Sequence, residues 1–284
     1  MNLPEIPLDF DRARPAGVYN YYLDGKTWTA KDRETAEAVI QNAPEAREVA
    51  KENFLFAGRA ASWVVTEFGI RQVFDVGVGL TDDVPLDSVE TCVLQAAPDA
   101  TVLAFDNDEV VLVHARALRR GYRRVLRGDI TDLDSILNHP DLTSRPDLVG
   151  RIDLTKPIVI VLAAVLHFVD DAAAVMAQLR ERLAPGSVVI LSHATETGTS
   201  AKRVAGMTKA YERGNSSIIF RSVEEIAALA DGWDLPSPGL VDVQLWSPDG
   251  SYAKEVHDSV RVLGMAAVLR SGPVPQPGGD RAAL

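Results

Sequence analysis

The chain contains the stretch Gln72-Val73-Phe74-Asp75-Val76-Gly77-Val78-Gly79-Leu80. In it, an apolar run rich in β-branched residues leads into an acidic residue and two glycines one position apart. This pattern predicts a buried strand that ends in a tight turn. Glycine lets a ligand approach the backbone there, because it has no side chain and adopts positive φ without strain. The stretch therefore indicates a ligand site at the end of a strand.

Two classes of ligand fit a strand followed by Gly-x-Gly. A dinucleotide site has a third glycine three positions later, but Asp82 stands there and Asp83 follows it. Two carboxylates at that turn would repel a pyrophosphate. Asp75 instead suits a ligand with a positive charge and a free amine, such as S-adenosylmethionine. Because Gly-x-Gly also occurs in ordinary strand-to-loop turns, the rest of the chain has to decide between these interpretations.

The composition describes an acidic globular protein. The 284 residues are 46% hydrophobic and 24% charged, which suffices for one large core. The formal net charge of −11 disfavours nucleic acid and anionic membranes as partners. Cys92 is the single cysteine, so no internal disulfide can form and a cytoplasmic location is expected. Residues 1–10 do not resemble a signal peptide, and no apolar run is long enough to span a membrane.

The chain divides into an arm, a domain and a tail. Residues 1–45 are expected to form an N-terminal arm or lid, whose tyrosines Tyr19, Tyr21 and Tyr22 either pack on the core or cover a ligand. The pair Thr29 and Asp32 predicts a capped helix within this arm. Residues 46–270 are expected to form the main domain. Residues 271–284, which are rich in Gly and Pro, are expected to form a disordered tail.

Strands and helices are predicted to alternate from residue 72 to residue 192. After the first strand, further strands are predicted at 101–105, 123–126, 158–165 and 187–192, and two more follow at 241–246 and 260–269. The alternation indicates right-handed βαβ units and an α/β fold with a doubly wound parallel sheet. Ligands bind at the carboxyl ends of the strands in such sheets. Four predicted strand ends carry polar candidates, namely Asp75, Asp106, Asp129 and the pair Leu166-His167.

Asp106 and Asp129 fit an adenosine ligand. A carboxylate at the end of the second strand can accept hydrogen bonds from both hydroxyls of a ribose. Asp129 can accept from an adenine amino group, with the adjacent Ile130 covering the ring. Either aspartate could instead be a helix cap or a turn residue. Their shared position at strand ends favours the ligand interpretation.

The combination of motifs resembles the class I S-adenosylmethionine-dependent methyltransferases, and within them an actinobacterial family formerly catalogued as a domain of unknown function. The resemblance rests on the arm 14–33, the stretch 74–80, Phe105-Asp106-Asn107-Asp108, Gly128-Asp129-Ile130, and residues 164–169 and 191–195. It implies a Rossmann-like seven-stranded sheet, mostly parallel with an antiparallel last strand, and an N-terminal helical arm. It also implies S-adenosyl-L-methionine as the cofactor, and methyl transfer from this activated donor requires no metal. The cofactor-binding residues expected from it are Asp75, Gly77, Gly79, Asp106, Asn107, Asp129, Ile130, Ala164 and Leu166.

The arm departs from the family pattern. Gly-Gly-Lys-Asp-Asn usually follows the tyrosines, whereas residues 24–28 of this chain are Asp-Gly-Lys-Thr-Trp. After the glycine turn, Thr81-Asp82 stands where the family usually has Pro-Thr. Substrate contacts are expected from Tyr19, Tyr22 and Lys26, so these departures bear on the choice of substrate.

Methyl transfer from a sulfonium is an in-line displacement with a donor that is already activated. The protein mainly has to orient an acceptor and exclude water. His167 is the candidate general base, and a histidine at this position also fits a hydrogen-bonding role in the pocket wall. The expected activity is methyl transfer to a small-molecule acceptor. The alternatives are a non-catalytic S-adenosylmethionine-binding regulatory protein and a nicotinamide-dependent oxidoreductase.

Overall fold

The computed structural model describes residues 11–117, 125–145, 148 and 150–270. The strands are β1 (Gln72–Val76), β2 (Thr101–Asp106), β3 (Val125–Arg127), β4 (Val159–Leu162), β5 (Val188–Thr195), β6 (Trp233–Asp234), β7 (Val241–Asp242) and β8 (Arg261–Leu269). The helices are α1 (Pro15–Tyr22), α2 (Ala30–Ile40), α3 (Ala46–Glu67), α4 (Val89–Ala96), α5 (Glu109–Ala117), α6 (Asp134–Leu137), α7 (Asp141–Ser144), α8 (Ala172–Arg182), α9 (Ala201–Arg213) and α10 (Val223–Ala228). A 3₁₀ turn covers Leu166–Phe168.

The described strands form one sheet. Its order is β3-β2-β1-β4-β5-β8, and the short strands β6 and β7 both pair with the far edge of β8. Strands β1 to β5 are parallel to one another, and β8 is antiparallel to β5. The predicted, mostly parallel sheet with an antiparallel last strand is thereby confirmed, with eight described strands in place of the predicted seven. The strand order reverses between β1 and β4, which lie side by side.

Helices cover both faces of the sheet. Within β4, Ile160 and Leu162 pack in the same core cluster as the α8 residue Leu179. Val159 and Val161 belong to a second cluster that includes residues of α3 and α4. Every residue of β1, β4 and β5 is buried, as expected for parallel strands covered on both sides. This packing positions the carboxyl ends of the central strands at one edge of the domain.

The described part of the arm, residues 11–45, is largely helical and belongs to a core cluster of its own. Pro15 begins α1, where its missing N–H costs no hydrogen bond. The predicted capping box of α2 is present, because Thr29 accepts from the Asp32 N–H and the Asp32 carboxylate accepts from the Thr29 N–H. Residues of α1, α2, α3 and α9 form one apolar cluster, separate from the clusters on the two sheet faces. The arm is therefore packed on the domain through α3 and α9.

Several boundaries differ from those predicted. The strand predicted at 241–246 is limited to β7, because the chain turns at once and the Leu245 N–H donates to the Asp242 carbonyl. The strand predicted at 158–165 ends at Leu162, shortly before Ala164 adopts a positive φ. The predicted tail and residues 123–124 of the third predicted strand lie outside the described residues. Within the described ranges, no helix is long and apolar enough to cross a membrane.

Candidate functional site

A cavity of about 1050 Å³ lies at the carboxyl ends of β1, β2, β3 and β4. It coincides with the reversal of strand order between β1 and β4, where doubly wound sheets bind ligands. The predicted residues on its wall are Asp75, Gly77, Gly79, Asp106, Asn107, Asp129, Ile130, Ala164, His167, Tyr19 and Tyr22. In the described part of the chain, no three His, Cys, Asp or Glu side chains are grouped as metal ligands. The structure thus brings strand ends and arm together around one space.

The structure corrects the predictions for Leu166 and Lys26. The side chain of Leu166 is fully buried in a core cluster and does not line the cavity. It leaves the wall because the chain enters the 3₁₀ turn at this residue. Lys26 is exposed and also lies off the wall. Its backbone N–H donates a hydrogen bond to the Asp83 carboxylate. Lys26 therefore takes part in attaching the arm and does not line the cavity.

The glycine turn is open towards the cavity because of its backbone geometry. Gly77 and Gly79 have φ angles of +75° and +64°, which cost a residue with a Cβ about 1–2 kcal/mol. The Gly77 N–H donates to the Phe105 carbonyl (2.8 Å), and the Gly79 N–H donates to the Asp106 carboxylate (2.8 Å). A Cβ added to Gly77 would lie 2.6 Å from Cγ2 of Val165. Position 77 therefore requires glycine both for its φ angle and for space.

Asp106 holds two backbone segments at once. Its Oδ2 accepts from the Gly79 N–H (2.8 Å), and its Oδ1 accepts from the Asp108 N–H (2.9 Å). The residue is 5% exposed, and this burial raises the pKa of its carboxyl in spite of the two hydrogen bonds. Each carboxylate oxygen can accept a second hydrogen bond. Both oxygens can therefore accept from a diol in the cavity.

Asp129 is fixed within its own turn. Its Oδ1 accepts from the N–H and the hydroxyl of Thr131 (2.8 and 2.7 Å), and its Oδ2 accepts from the Asn107 amide (3.0 Å). Burial acts to raise the pKa of Asp129, but these hydrogen bonds outweigh it and hold the pKa below its usual value. The buried side chain of Ile130 lies beside it on the wall. Asp129 is therefore an ionised hydrogen-bond acceptor at neutral pH.

Ala164 carries backbone strain just beyond the end of β4. Its φ angle of +58° is uncommon for a residue that has a Cβ. The Ala164 N–H donates to Oγ of Ser192 at 2.9 Å, which helps to hold this conformation. Strain of this kind persists only where the surroundings enforce it, and it concentrates at ligand sites. It marks Ala164 as a position where the backbone faces the cavity.

His167 is a neutral histidine whose proton position is set by its neighbours. Its Nδ1 accepts from the Ala194 N–H at 3.4 Å, which leaves the proton on Nε2. Burial, together with the adjacent His193 and Arg221, holds the pKa of His167 well below its usual value. His193 accepts from Arg221 at Nε2 (2.6 Å), and burial lowers its pKa to about 4. His167 therefore offers an N–H, and not a lone pair, to a ligand.

Asp83 fastens the arm to the loop that follows the glycine turn. Its carboxylate accepts from the Lys26 N–H, from the Thr27 hydroxyl (3.1 Å) and from the Asn20 amide (2.8 Å). The Asn20 amide also donates to the Leu80 carbonyl at 2.7 Å. In the sequence, Asp83 stands out only as a charge that would repel a pyrophosphate. In the structure it secures the part of the arm that departs from the family pattern.

Replacing Asp83 by alanine is expected to loosen the arm while the domain stays folded. Losing the hydrogen bonds to this exposed carboxylate is expected to cost about 1–2 kcal/mol of arm attachment, so trypsin should cleave after Lys26 roughly tenfold faster. Asp82→Ala is the matched control, because the exposed Asp82 side chain has no hydrogen bond or ion pair with the described residues. Equal rates of cleavage in the two variants would contradict the anchoring role.

The rest of the cavity wall, here called the apolar wall, comes mainly from one core cluster of the arm, α3, α9 and the segment before β8. It consists of Val39, Ala46, Val49, Ala50, Phe54, Phe168, Met207, Ile218, Phe220, Val260 and Val262, with Tyr19, Tyr22 and Tyr211. Of these, the sequence predicts only Tyr19 and Tyr22 as site residues. From the sequence, Phe54 is predicted only to lie on the apolar face of a helix. An apolar residue has the same helical spacing whether its side chain faces a cavity or a packed core.

Asn53 is a polar exception beside the apolar wall. The Tyr19 hydroxyl donates to the Ala50 carbonyl (2.9 Å), so it accepts from Nδ2 of Asn53 (2.8 Å). This fixes the amide and leaves its Oδ1 buried without a hydrogen-bond partner among the described residues. Burial and the neighbouring Tyr211 raise the pKa of Tyr22 well above its usual value. An asparagine between apolar positions of a helix is a signal that could have identified this residue.

Comparison with known proteins places the chain in a family. The sequence matches the family model of the S-adenosyl methyltransferases over residues 2–270. A DUF574 family protein from Streptomyces avermitilis is 28% identical, with a TM-score of 0.80 over 92% of this chain and 99% of that chain. A candidate methyltransferase from Thermobifida fusca is 26% identical, with a TM-score of 0.78 over 95% of this chain and 100% of that chain. No curated protein matches the sequence.

A more distant solved structure shares the fold alone. The plantazolicin methyltransferase BamL, crystallised with a triazolic desmethylPZN analog and S-adenosylhomocysteine, is 8% identical, with a TM-score of 0.52 over 90% of this chain and 96% of that chain. The cavity itself also fits the cofactor that the family uses. Asp75 provides a buried carboxyl group, the glycine turn provides close access to backbone, and Asp106 can accept from a diol. The chain belongs to the S-adenosyl methyltransferase family and is an S-adenosylmethionine-dependent methyltransferase.

Proposed function

We propose that this methyltransferase acts on a small organic molecule that binds beside the cofactor in the same cavity. The observation that supports this proposal is the division of the cavity wall into polar strand ends and an apolar wall. A drug-sized ligand takes a pocket of about 300–1,000 Å³. The volume of about 1050 Å³ lies at the top of that range, which supports a cavity shared by the cofactor and a small acceptor.

The strand-end residues are proposed to hold the cofactor. Asp75 would pair with the α-amino group, and Asp106 would accept from the two ribose hydroxyls. Asp129 would accept from the adenine amino group, with Ile130 against the ring. Backbone and amide contacts are proposed at Gly77, Gly79, Asn107 and Ala164. These roles follow from the charge and the hydrogen-bonding capacity that each residue presents to the cavity.

The chain's own part in the reaction is proposed to be orientation and desolvation. When bound, the cofactor would supply an activated methyl group, and its sulfur would take the electron pair of the broken bond. The acceptor would release its proton to solvent after the transfer. The apolar wall excludes water from the acceptor and holds it near the strand ends. His167 is proposed to donate from Nε2 as part of the wall, in preference to serving as a general base, because its Nδ1 is already occupied.

The arm, residues 1–45, is proposed to act as a lid on the domain of residues 46–270. Nε of Arg14 lies 3.8 Å from Oδ1 of Asp108. A Cβ added to Gly79 would lie 3.8 Å from Cβ of Ala16. The start of α1 therefore lies directly against the glycine turn. Exchange of product for fresh cofactor is proposed to require displacement of α1.

Partners and location are proposed from composition. The net charge of −11 opposes binding to nucleic acid, whose phosphates attract basic surfaces. It also opposes binding to anionic membrane surfaces. Cys92 is a half-buried free thiol, which supports a reducing cytoplasmic location.

The proposal is tested by titration and by turnover with the wild-type protein. We expect S-adenosylmethionine and S-adenosylhomocysteine, but not NAD, to bind in calorimetric titrations. We also expect S-adenosylhomocysteine to be produced with the small-molecule fraction of an extract of the producing cells. Production only with the macromolecular fraction would overturn the small-molecule acceptor. Binding without turnover in any fraction would favour a regulatory, non-catalytic protein.

A further inference from the structure

We propose that the acceptor is an uncharged aromatic molecule, an inference that rests on the proposed function and narrows its class of substrate. Six aromatic rings line the cavity, from Tyr19, Tyr22, Phe54, Phe168, Tyr211 and Phe220. The Phe168 and Tyr211 ring centroids are 5.9 Å apart, and the His167 ring lies 4.4 Å from Phe168. The rings therefore extend from the apolar wall to the strand end at His167. Such a surface favours a flat ligand that makes stacked and edge-to-face contacts.

Charge is distributed unevenly around the cavity. The charged residues of the wall are Arg12, Arg14, Asp75, Asp106, Asp108, Glu109 and Asp129, which all lie near the start of α1 or at the ends of β1, β2 and β3. Among the described residues, α2, α3, α9 and the segment 215–262 contribute no charged side chain to the wall. An ionised acceptor would lose its hydration there without gaining a counter-ion. This disfavours amino acids, nucleotides and carboxylic acids as acceptors.

The polar atoms near the apolar wall are all neutral. Burial raises the pKa of Tyr211 to about 12, so its hydroxyl stays protonated. The Tyr22 hydroxyl lies beside that of Tyr211, and Oδ1 of Asn53 is buried beside the cavity without a partner among the described residues. His167 is neutral and carries its proton on Nε2. These uncharged donors and acceptors can form hydrogen bonds with a phenolic hydroxyl or a ring N–H of an uncharged ligand.

The test uses 2-naphthol and 2-naphthoate as matched probes, titrated calorimetrically into the wild-type protein with and without saturating S-adenosylhomocysteine. The two probes share a ring system and differ in charge at neutral pH. We expect 2-naphthol to bind about tenfold more tightly than 2-naphthoate, because losing hydration costs a carboxylate far more than it costs a neutral hydroxyl. We expect Phe220→Ala to weaken 2-naphthol binding by about tenfold, while the affinity for S-adenosylhomocysteine changes by less than about twofold.

Two further variants keep the test decisive. Phe54→Ala removes a ring from another element of the wall and replaces Phe220→Ala if that variant does not fold. Phe68→Ala removes an aromatic residue of α3's C-terminal end that is 40% exposed and off the wall, so it should leave both affinities unchanged.

Two results would overturn the aromatic acceptor and leave the methyltransferase standing. One is 2-naphthoate binding as tightly as 2-naphthol, and the other is failure of both probes to bind while S-adenosylhomocysteine binds. If S-adenosylhomocysteine itself failed to bind the folded protein, the proposed function would fall. Titration of 2-naphthol in the absence of S-adenosylhomocysteine would still measure whether the apolar wall binds an aromatic ring.

Discussion

Replacing Gly77 by alanine is expected to weaken binding of S-adenosylhomocysteine by about 100-fold or more while the sheet stays folded. The φ angle of +75° at this position costs a residue with a Cβ about 1–2 kcal/mol. The new Cβ would also lie 2.6 Å from Cγ2 of Val165, whose β-branched side chain is stiff at χ1. Such overlap adds about 1–3 kcal/mol. In the variant the free turn is expected to relax to another conformation, so ligand binding has to restore the strained one, and each 1.4 kcal/mol or so of that cost is a tenfold loss of affinity. Calorimetric titration measures the loss.

Gly79→Ala is the matched control for this prediction. Its φ angle of +64° is nearly the same, but the nearest atom to an added Cβ is Cβ of Ala16 at 3.8 Å, an ordinary contact. This variant therefore bears only the cost of its φ angle, and a loss of roughly tenfold is expected. Adding Val165→Ala to Gly77→Ala should recover part of the larger loss. Equal losses at the two glycines, or no recovery in the double variant, would contradict the steric explanation.

The central sheet could be predicted from the sequence because its strands are buried on both faces. Residues 158–162 form an unbroken apolar run for this reason. The edge strands could not be predicted, because β6 and β7 have two residues each and depend on pairing with β8. Val243 and Trp246 made the stretch 241–246 resemble a strand. In the structure, these two residues pack into the core from beyond the end of β7.

The strand-end carboxylates could be predicted for a related reason. Parallel register fixes which residues meet at the edge of a sheet, and β1 and β2 pair Val76 with Phe105, next to Asp75 and Asp106. The apolar wall lacks such a rule, since an aromatic side chain has the same pattern whether it faces a cavity or a core. The role of Asp83 was also hidden, because its partner Lys26 lies 57 residues away in sequence. Contacts between the arm and the domain follow from tertiary packing and leave no local pattern.

Replacing Asp106 by alanine is expected to weaken binding of S-adenosylhomocysteine by about 100-fold or more. The change removes the acceptor proposed for two ribose hydroxyls, and each hydrogen bond to a charged group contributes about 1.5–3 kcal/mol. It also removes the partner of the Gly79 N–H (2.8 Å). Asp108→Ala is the control, because Asp108 lines the same cavity but caps α5 by accepting from the Val110 N–H (2.7 Å). That variant should lose about 1 kcal/mol of stability and little affinity, and an equal loss of affinity would remove the ribose role from Asp106.

The same residue determines how affinity should depend on pH. Burial raises the pKa of Asp106 above the usual aspartate value of about 3.9, and the ribose hydroxyls are proposed to bind its ionised form. As the pH falls through that raised pKa, protonation should weaken binding by about tenfold for each pH unit. Asp129 should not contribute in this range, because its pKa lies below the usual value and it stays ionised. In the Asp106→Asn variant, the affinity for S-adenosylhomocysteine should no longer depend on pH in this range. If the pH dependence persisted in that variant, the ionising group would be a different one.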